Sequence, residues 1–173
     1  MDLKHLLGTL KNQLEGQSID FALIGGLAVG GLGYQRFTND IDILVHEDDR
    51  ARLRGFLVGL GYTIFAESTE FLQLQGPCPV YVQFARRPLS QRMLKEAVLL
   101  PALNVRCLKA EDIIGLKIQA YVTNAKREHK EKADIQALIE VRGGQLDWQK
   151  IQEYADLFSQ WPAIQELKAK VGI

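Results

Sequence analysis

Asp40 and Asp42 stand one residue apart at the head of an apolar run that contains Ile41, Ile43, Leu44 and Val45. In an extended strand both carboxylates project to one face, and Ile41, Ile43 and Val45 project to the other. Two ionised carboxylates on one face repel each other. A divalent cation removes the conflict. A compact pair of hard oxygen ligands suits Mg²⁺, which takes one or two carboxylates and completes its shell with phosphate oxygens. A solvated strand face with Arg or Lys neighbours is the other arrangement that accommodates such a pair.

Sixteen residues before Asp42, Gly26 follows Gly25 at the end of the apolar run FALI (21–24). Where a strand gives way to a helix, glycines let the backbone approach an anion and aim N–H groups at it, which suits phosphate. The same pair also serves a tight turn that needs positive φ. Arg36 lies between the glycines and the aspartates. Phosphate grip and metal grip would then sit on neighbouring elements.

Two further charges sit where apolar residues are expected. On a helix over 110–123, advancing about 100° per residue, Leu116, Ala120, Ile113, Tyr121 and Ile114 form one arc with Lys117 at its middle. A lysine so placed snorkels to water or meets an anion, either a phosphate or an aspartate. Asp134 lies likewise among Ile135, Ala137, Leu138 and Val141 on a helix over 128–141, and pairing with Lys117 is one way to satisfy it. Between them run Lys126, Arg127, Lys130 and Lys132, and a second basic cluster holds Arg86, Arg87 and Arg92. Each reads either as a solvated face or as a surface for triphosphate or a polynucleotide backbone. His5, His46 and His129 have no ligand spacing, Cys78 and Cys107 read as reduced thiols, and Trp148 and Trp161 read as core residues.

The elements that position these groups follow from periodicity. Leu3, Leu6, Leu7, Leu10 and Leu14 predict a helix over 3–15. FALI and residues 40–45 predict strands, with a short helix over 27–33 between them. Residues 47–59 return to helical period. Residues 62–67, 70–75 and 80–85 read as three short strands, with Gly76-Pro77 as a turn, and NVRCL (104–108) as another. Helices are expected from Leu89 and over 110–123, 128–141, 147–158 and 162–170. The fold class is α/β (α+β): a mixed sheet with helices over 1–109, then a helical region over 110–173 expected to pack on it.

At 47% apolar and 24% charged residues, the composition is that of a soluble globular protein. Lys plus Arg and Asp plus Glu both total 21, so net charge makes no case for a nucleic-acid or membrane binder. Charges run through the N-terminal segment, and no stretch approaches the roughly 20 apolar residues of a membrane span. A cytoplasmic location is the expectation.

The segment GGLAVGGLGYQRFTNDIDILV resembles the signature of the polymerase-beta-like nucleotidyltransferase superfamily, in which Gly-Gly or Gly-Ser is followed, after a helix, by an Asp-x-Asp strand. Arg36, Thr38, Asp40, Ile41 and Asp42 are similar to the AbiEii toxin-like branch, as is EDIIGLKIQAYVTNAKREHKEKADIQALIE (111–140). The likeness covers 20–45 and 104–140. It implies a nucleotidyltransferase-type sheet and transfer of a nucleoside monophosphate from an NTP, dependent on Mg²⁺ or Mn²⁺, with pyrophosphate leaving. It implies that Gly25 and Gly26 face the triphosphate, that Arg36 and Thr38 help bind the nucleotide, and that Asp40 and Asp42 hold metal. Lys117, near the nucleotide with Asp134, would contact phosphate or stabilise developing charge. RNA or protein as acceptor, a toxin role and an antitoxin partner also follow from the resemblance alone.

The sequence departs from that pattern at one place. Active members carry a third carboxylate on a later strand, and the aligned position within VYVQF (80–84) is Tyr81. A tyrosine, with a reference pKa of about 10, is a poor Mg²⁺ ligand. It reads as a packing or base-stacking residue. Gln83 offers only a neutral oxygen, and Glu70 substitutes only if the hairpin brings it across. A catalytically degenerate nucleotide-binding or interaction module is therefore the alternative.

Overall fold

The computed structural model describes residues 2–173. They group into two compact units: the chain through Gly31 together with Arg36–Leu108, and Leu32–Gln35 together with Lys109–Ile173. The first unit is a seven-stranded mixed sheet with four α-helices. Its strands are β1 (Phe21–Ile24), β2 (Ile41–His46), β3 (Thr63–Glu67), β4 (Phe71–Gln75), β5 (Val80–Ala85), β6 (Val98–Leu100) and β7 (Val105–Cys107). Its helices are α1 (Leu3–Gly16), α2 (Gly25–Gly31), α3 (Arg50–Gly59) and α4 (Pro88–Lys95).

The strand order is β3-β4-β5-β2-β1-β7-β6. β2 lies inside the sheet, antiparallel to β1 and parallel to β5. Interior strands are covered on both faces, which is why all four residues of FALI are buried. Ile41, Ile43 and Val45 on β2 and Val80 and Val82 on β5 are also buried. Helix α1 buries Leu7, Leu10 and Leu14, the stripe its periodicity marks out. The Asp2 carboxylate caps it, accepting from the Lys4 and His5 amides at 3.1 and 3.2 Å. Pro88 opens α4, where a missing N–H is harmless, and the Arg87 amide donates to Ser90 Oγ at 3.2 Å.

Three details differ from the sequence reading. α2 starts at Gly25 rather than at residue 27 and ends at Gly31, because the positive-φ turn at Gly25 runs directly into the helix. β2 starts at Ile41, so Asp40 stands on the bend before it. β6 was not anticipated. It is a three-residue edge strand with Val98 and Leu99 exposed, and it carries no burial alternation for a pattern to detect.

The second unit contains α5 (Ala110–Thr123), α6 (Glu128–Arg142), α7 (Trp148–Asp156) and α8 (Trp161–Lys170). Lys117 on α5 is buried, and its Nζ donates to Glu131 Oε2 at 2.7 Å and to Asp134 Oδ2 at 2.6 Å, both on α6. Arg127 adds Nη2 to Glu131 Oε1 at 2.6 Å from one helical turn away. Burial alone would raise the Glu131 carboxyl, but Lys117 and Arg127 overcome it and hold it below the ordinary carboxylate range. A second buried joint ties α5 to α7. Asp112 Oδ1 accepts from Tyr154 Oη at 2.5 Å and lies 2.7 Å from Lys150 Nζ. The Tyr154 ring crosses Gly115, where any Cβ would come within 2.6 Å of it. Trp148 and Trp161 are only half-buried, not core residues. The Trp148 indole N–H donates to Gly143 O at 3.2 Å, and its face carries Lys168. Among the described residues no helix is long and apolar enough to cross a membrane.

The buried cluster sets a stability test. Lys117→Met leaves two carboxylates without their shared cation, and urea unfolding at pH 7 should show a loss of about 3–5 kcal/mol. Glu131 titrates below its unfolded value, so its contribution is complete above the ordinary carboxylate pKa and disappears as pH falls through the folded one. The destabilisation caused by Glu131→Gln should therefore be largest near neutrality and shrink steadily toward pH 3. A pH-independent difference would show that this charge does not stabilise the fold.

Candidate functional site

The sheet register gathers the sequence-marked groups of the first unit. Ile24, the last residue of β1, pairs with Asp42, so the strand ends level with that carboxylate and the chain turns at once through Gly25 and Gly26. Gly25 has φ +67°, the left-handed region that favours glycine. A Cβ there would lie 1.8 Å from Asp42 Oδ2, inside the carboxylate. The Gly26 amide donates to the same oxygen at 3.4 Å. Close approach of backbone and carboxylate is thus the reason this turn is made of glycine.

Asp40 reaches the same turn through Thr38. The Thr38 hydroxyl donates to Asp40 Oδ1, and a Cβ on Gly26 would meet Thr38 Oγ1 at 2.8 Å. Gly25, Gly26, Thr38, Asp40 and Asp42 therefore form one cluster. Asp40 and Asp42 are both half-buried, partly open to water and partly sheltered. Arg36 is half-buried at the start of the same segment. The turn between β4 and β5 borders the cluster, with the Ile41 amide donating to Pro79 O at 3.0 Å. The buried Cys78 thiol is pushed up by burial and then by the charge of Asp40, so it stays protonated beside the carboxylates. Nothing in the sequence pattern marked Cys78 as a neighbour of Asp40, because the contact depends on the parallel pairing of β2 with β5.

Tyr81 pairs with Asp42 across that parallel ladder and stacks on Phe71, with ring centroids 5.6 Å apart and planes inclined by 24°. Gln83 lies level with Leu44, two residues further along. Glu70 does not come across to Asp42. Its carbonyl accepts from the Phe84 amide, three residues and roughly 10 Å along the strand from Tyr81. Its carboxylate lies 3.0 Å from Arg86 and 3.8 Å from Arg87. Arg86 also bonds Glu47, so this basic cluster carries its own acids.

The donor set fits one Mg²⁺ or Mn²⁺. Asp40 and Asp42 supply two hard oxygen ligands beside a turn whose Gly26 N–H meets Asp42 Oδ2. It does not supply a third acidic ligand: among the described residues no group of three or more His, Cys, Asp or Glu side chains is placed to hold a metal. In the second unit, Lys117 and Asp134 are engaged with each other, the pairing that their positions on apolar helix faces allowed.

No family model matches the sequence, and no characterised protein matches it by sequence. Solved structures do match by shape. The antibiotic-resistance factor ANT(2″)-Ia matches in its solution structure at 18% identity and a TM-score of 0.72, over 96% of this chain and 97% of that one. An antigenic nucleotidyltransferase-like protein from Paracoccidioides brasiliensis matches at 20% identity and a TM-score of 0.58, over 97% and 92%. The lincosamide antibiotic adenylyltransferase LnuA, with lincomycin bound, matches at 15% and 0.59, over 82% and 98%. At these identities the likeness is one of fold: the chain shares the mixed α/β nucleotidyltransferase fold of these structures.

The steric reading of the glycine turn is testable on stability alone. Gly61 also has positive φ, +90°, but a Cβ there would meet open space. Gly61→Ala should cost about 1–2 kcal/mol from the left-handed backbone. Gly25→Ala should cost a further 1–3 kcal/mol or so, because its methyl group must displace Asp42. Equal losses in urea unfolding would show that Gly25 serves the backbone turn only.

Proposed function

We propose that this chain is a nucleotidyltransferase that moves a nucleoside monophosphate from an NTP to an acceptor, using a divalent cation held by Asp40 and Asp42. The observation that carries this reading is the contact between the Asp42 carboxylate and the Gly25–Gly26 turn, which brings a hard-ligand pair and a bare stretch of backbone to one point. The fold shared with ANT(2″)-Ia and LnuA supports it.

In this reading each residue has a limited task. A bound Mg²⁺ or Mn²⁺ supplies charge neutralisation for the triphosphate. Asp40 and Asp42 fix where that charge sits, and the Thr38 hydroxyl holds the Asp40 carboxylate in one orientation. Gly25 and Gly26 bring backbone N–H groups to the edge of the carboxylate pair, and a phosphate that takes the Gly26 N–H displaces the Asp42 Oδ2 it now donates to. Arg36, in the same segment, adds a cation for the departing pyrophosphate. Lys117 and Asp134 maintain the helical unit through their buried pairing, and a nucleotide contact by Lys117 requires it to exchange a carboxylate for a phosphate. A crystal structure of ANT(2″)-Ia is in complex with adenylyl-2″-tobramycin, so a small hydroxyl-bearing acceptor is one form of the proposal. RNA as acceptor and an antitoxin as partner belong to the AbiEii-like form of the same proposal.

A second reading is a degenerate nucleotide-binding module. The specific observation in its favour is Tyr81 beside Asp42 where active relatives are expected to carry an acid. One assay separates the two: protein, α-labelled NTP, Mg²⁺ or Mn²⁺ and either total RNA or small hydroxyl compounds, run beside Asp40→Asn/Asp42→Asn. The enzyme reading expects label transfer that falls at least about 100-fold in the double variant. Metal-dependent NTP binding without transfer selects the module, and absence of both binding and transfer overturns both readings.

A further inference from the structure

We infer that the stacked rings of Phe71 and Tyr81 form the acceptor subsite, and that they select an acceptor carrying a flat ring beside its nucleophilic hydroxyl. The inference rests on the nucleotidyltransferase reading and concerns what that site accepts. It follows from the order of three adjacent strands. β2 carries Asp42 and lies between β1, which ends in the Gly25–Gly26 turn, and β5, which carries Tyr81 level with Asp42. The phosphate cradle and Tyr81 thus flank the carboxylate on opposite sides, each one strand spacing of about 4.8 Å away, with Phe71 one strand beyond Tyr81.

Phosphoryl-type transfer runs in line, with the attacking and leaving oxygens on opposite sides of the α-phosphorus. A bond forms from the acceptor oxygen to that phosphorus as the bond to the bridging oxygen breaks. Pyrophosphate departs with the electron pair, and the acceptor's hydroxyl proton passes to water. With the triphosphate tail over the glycine turn, the departing group points toward β1 and α2. The attacking hydroxyl must then arrive from the β5 side, over Tyr81.

What it meets there is an aromatic surface rather than an anion. Phe71 and Tyr81 are diagonal neighbours on the β4–β5 ladder, since Gln73 pairs with Tyr81 and Phe71 with Gln83. Both are half-buried and rest on each other, so the exposed part of the Tyr81 ring is held in a fixed plane. A platform braced in this way stacks a planar ring with little loss of side-chain freedom, and such stacking changes affinity by roughly 5- to 150-fold per ring. A polycationic acceptor, by contrast, finds no carboxylate at this position. The planar ring can come from a free nucleoside or from the terminal base of an RNA strand.

The test measures binding and does not depend on turnover. With the full chain saturated in Mg²⁺ and a non-hydrolysable α,β-methylene NTP, adenosine, ribose, tobramycin and a short oligoribonucleotide are titrated by calorimetry. Adenosine or the oligonucleotide should bind at least tenfold more tightly than ribose or tobramycin. Preference between the first two identifies the source of the ring. Tyr81→Ala should lose about tenfold of the ring-dependent affinity, whereas Tyr81→Phe keeps it within twofold, and both should bind the Mg²⁺–NTP analogue as the wild type does. If ring-bearing and ringless probes bind alike, if none binds, or if Tyr81→Ala keeps full ring affinity while the analogue still binds, the platform is overturned and the nucleotide site stands. If the analogue itself fails to bind the wild type, the underlying nucleotidyltransferase reading falls, and the subsite with it.

Discussion

The arrangement of the first unit depends on a carboxylate and a backbone turn occupying space that a single methyl group would fill. Asp42 lies on an interior strand, where neighbours on both sides fix its height and direction. The turn that ends β1 must pass directly in front of it, and does so only because Gly25 has no Cβ and a left-handed backbone. Gly26 repeats the constraint against Thr38, which in turn orients Asp40. Five separate choices of residue type therefore serve one geometry. Each is costly in isolation: glycine weakens a helix by about 1 kcal/mol relative to alanine, and a carboxylate in a strand interior forfeits apolar burial. Several such costs accepted at one place are what is expected of a site where function competes with stability, which is the basis of the proposed function.

That concentration of exceptions is also what made the site legible. The alternation of IDILV, the glycine pair after FALI and the spacing between them placed Asp40, Asp42, Gly25 and Gly26 on adjoining elements before any coordinates, and β1, β2, β4, β5 and the four C-terminal helices lie where periodicity put them. What the sequence could not display were contacts created by pairing. Cys78 nears Asp40 and Glu70 misses Asp42 because of the β2–β5 and β4–β5 registers, and register is not written in any one segment. β6 escaped because an exposed three-residue edge strand needs no pattern. The tryptophans misled through their size, since large rings are often buried on only one side.

The second unit shows how far a burial argument reaches. The helical wheel placed Lys117 and Asp134 inward, which they are, but left the counter-ion open between a protein carboxylate and a ligand phosphate. Glu131, unremarked in the sequence, decides how the structure is satisfied. Its carboxylate bridges Lys117 and the more exposed Arg127, so two cations and two anions from α5, α6 and the turn between them close on one another. Such a cluster is a weak source of net stability, because desolvation offsets most of the attraction, but it penalises any packing of α5 on α6 that leaves one member unmatched. Its evident effect is to fix helix register. A nucleotide drawing on Lys117 would have to outcompete two carboxylates within 2.7 Å.

The same comparison of magnitudes bears on the chemistry expected beside Tyr81. A third carboxylate about 4 Å from an incoming phosphate would repel it by about 4 kcal/mol per unit charge at an effective dielectric of 20. As a general base it would return about 10²- to 10⁴-fold in rate, or roughly 3–5 kcal/mol at the transition state. The two quantities are similar, so under the proposed nucleotidyltransferase reading a tyrosine in place of the acid would not by itself abolish transfer. It would move free energy from the transition state to the ground state. Under that proposal nucleotide and acceptor would meet less negative charge and gain a stacking surface, while the acceptor hydroxyl would lack a base within reach on β5. The proposal therefore expects tight binding and slow turnover, with the rate set by how readily the acceptor gives up its proton to water.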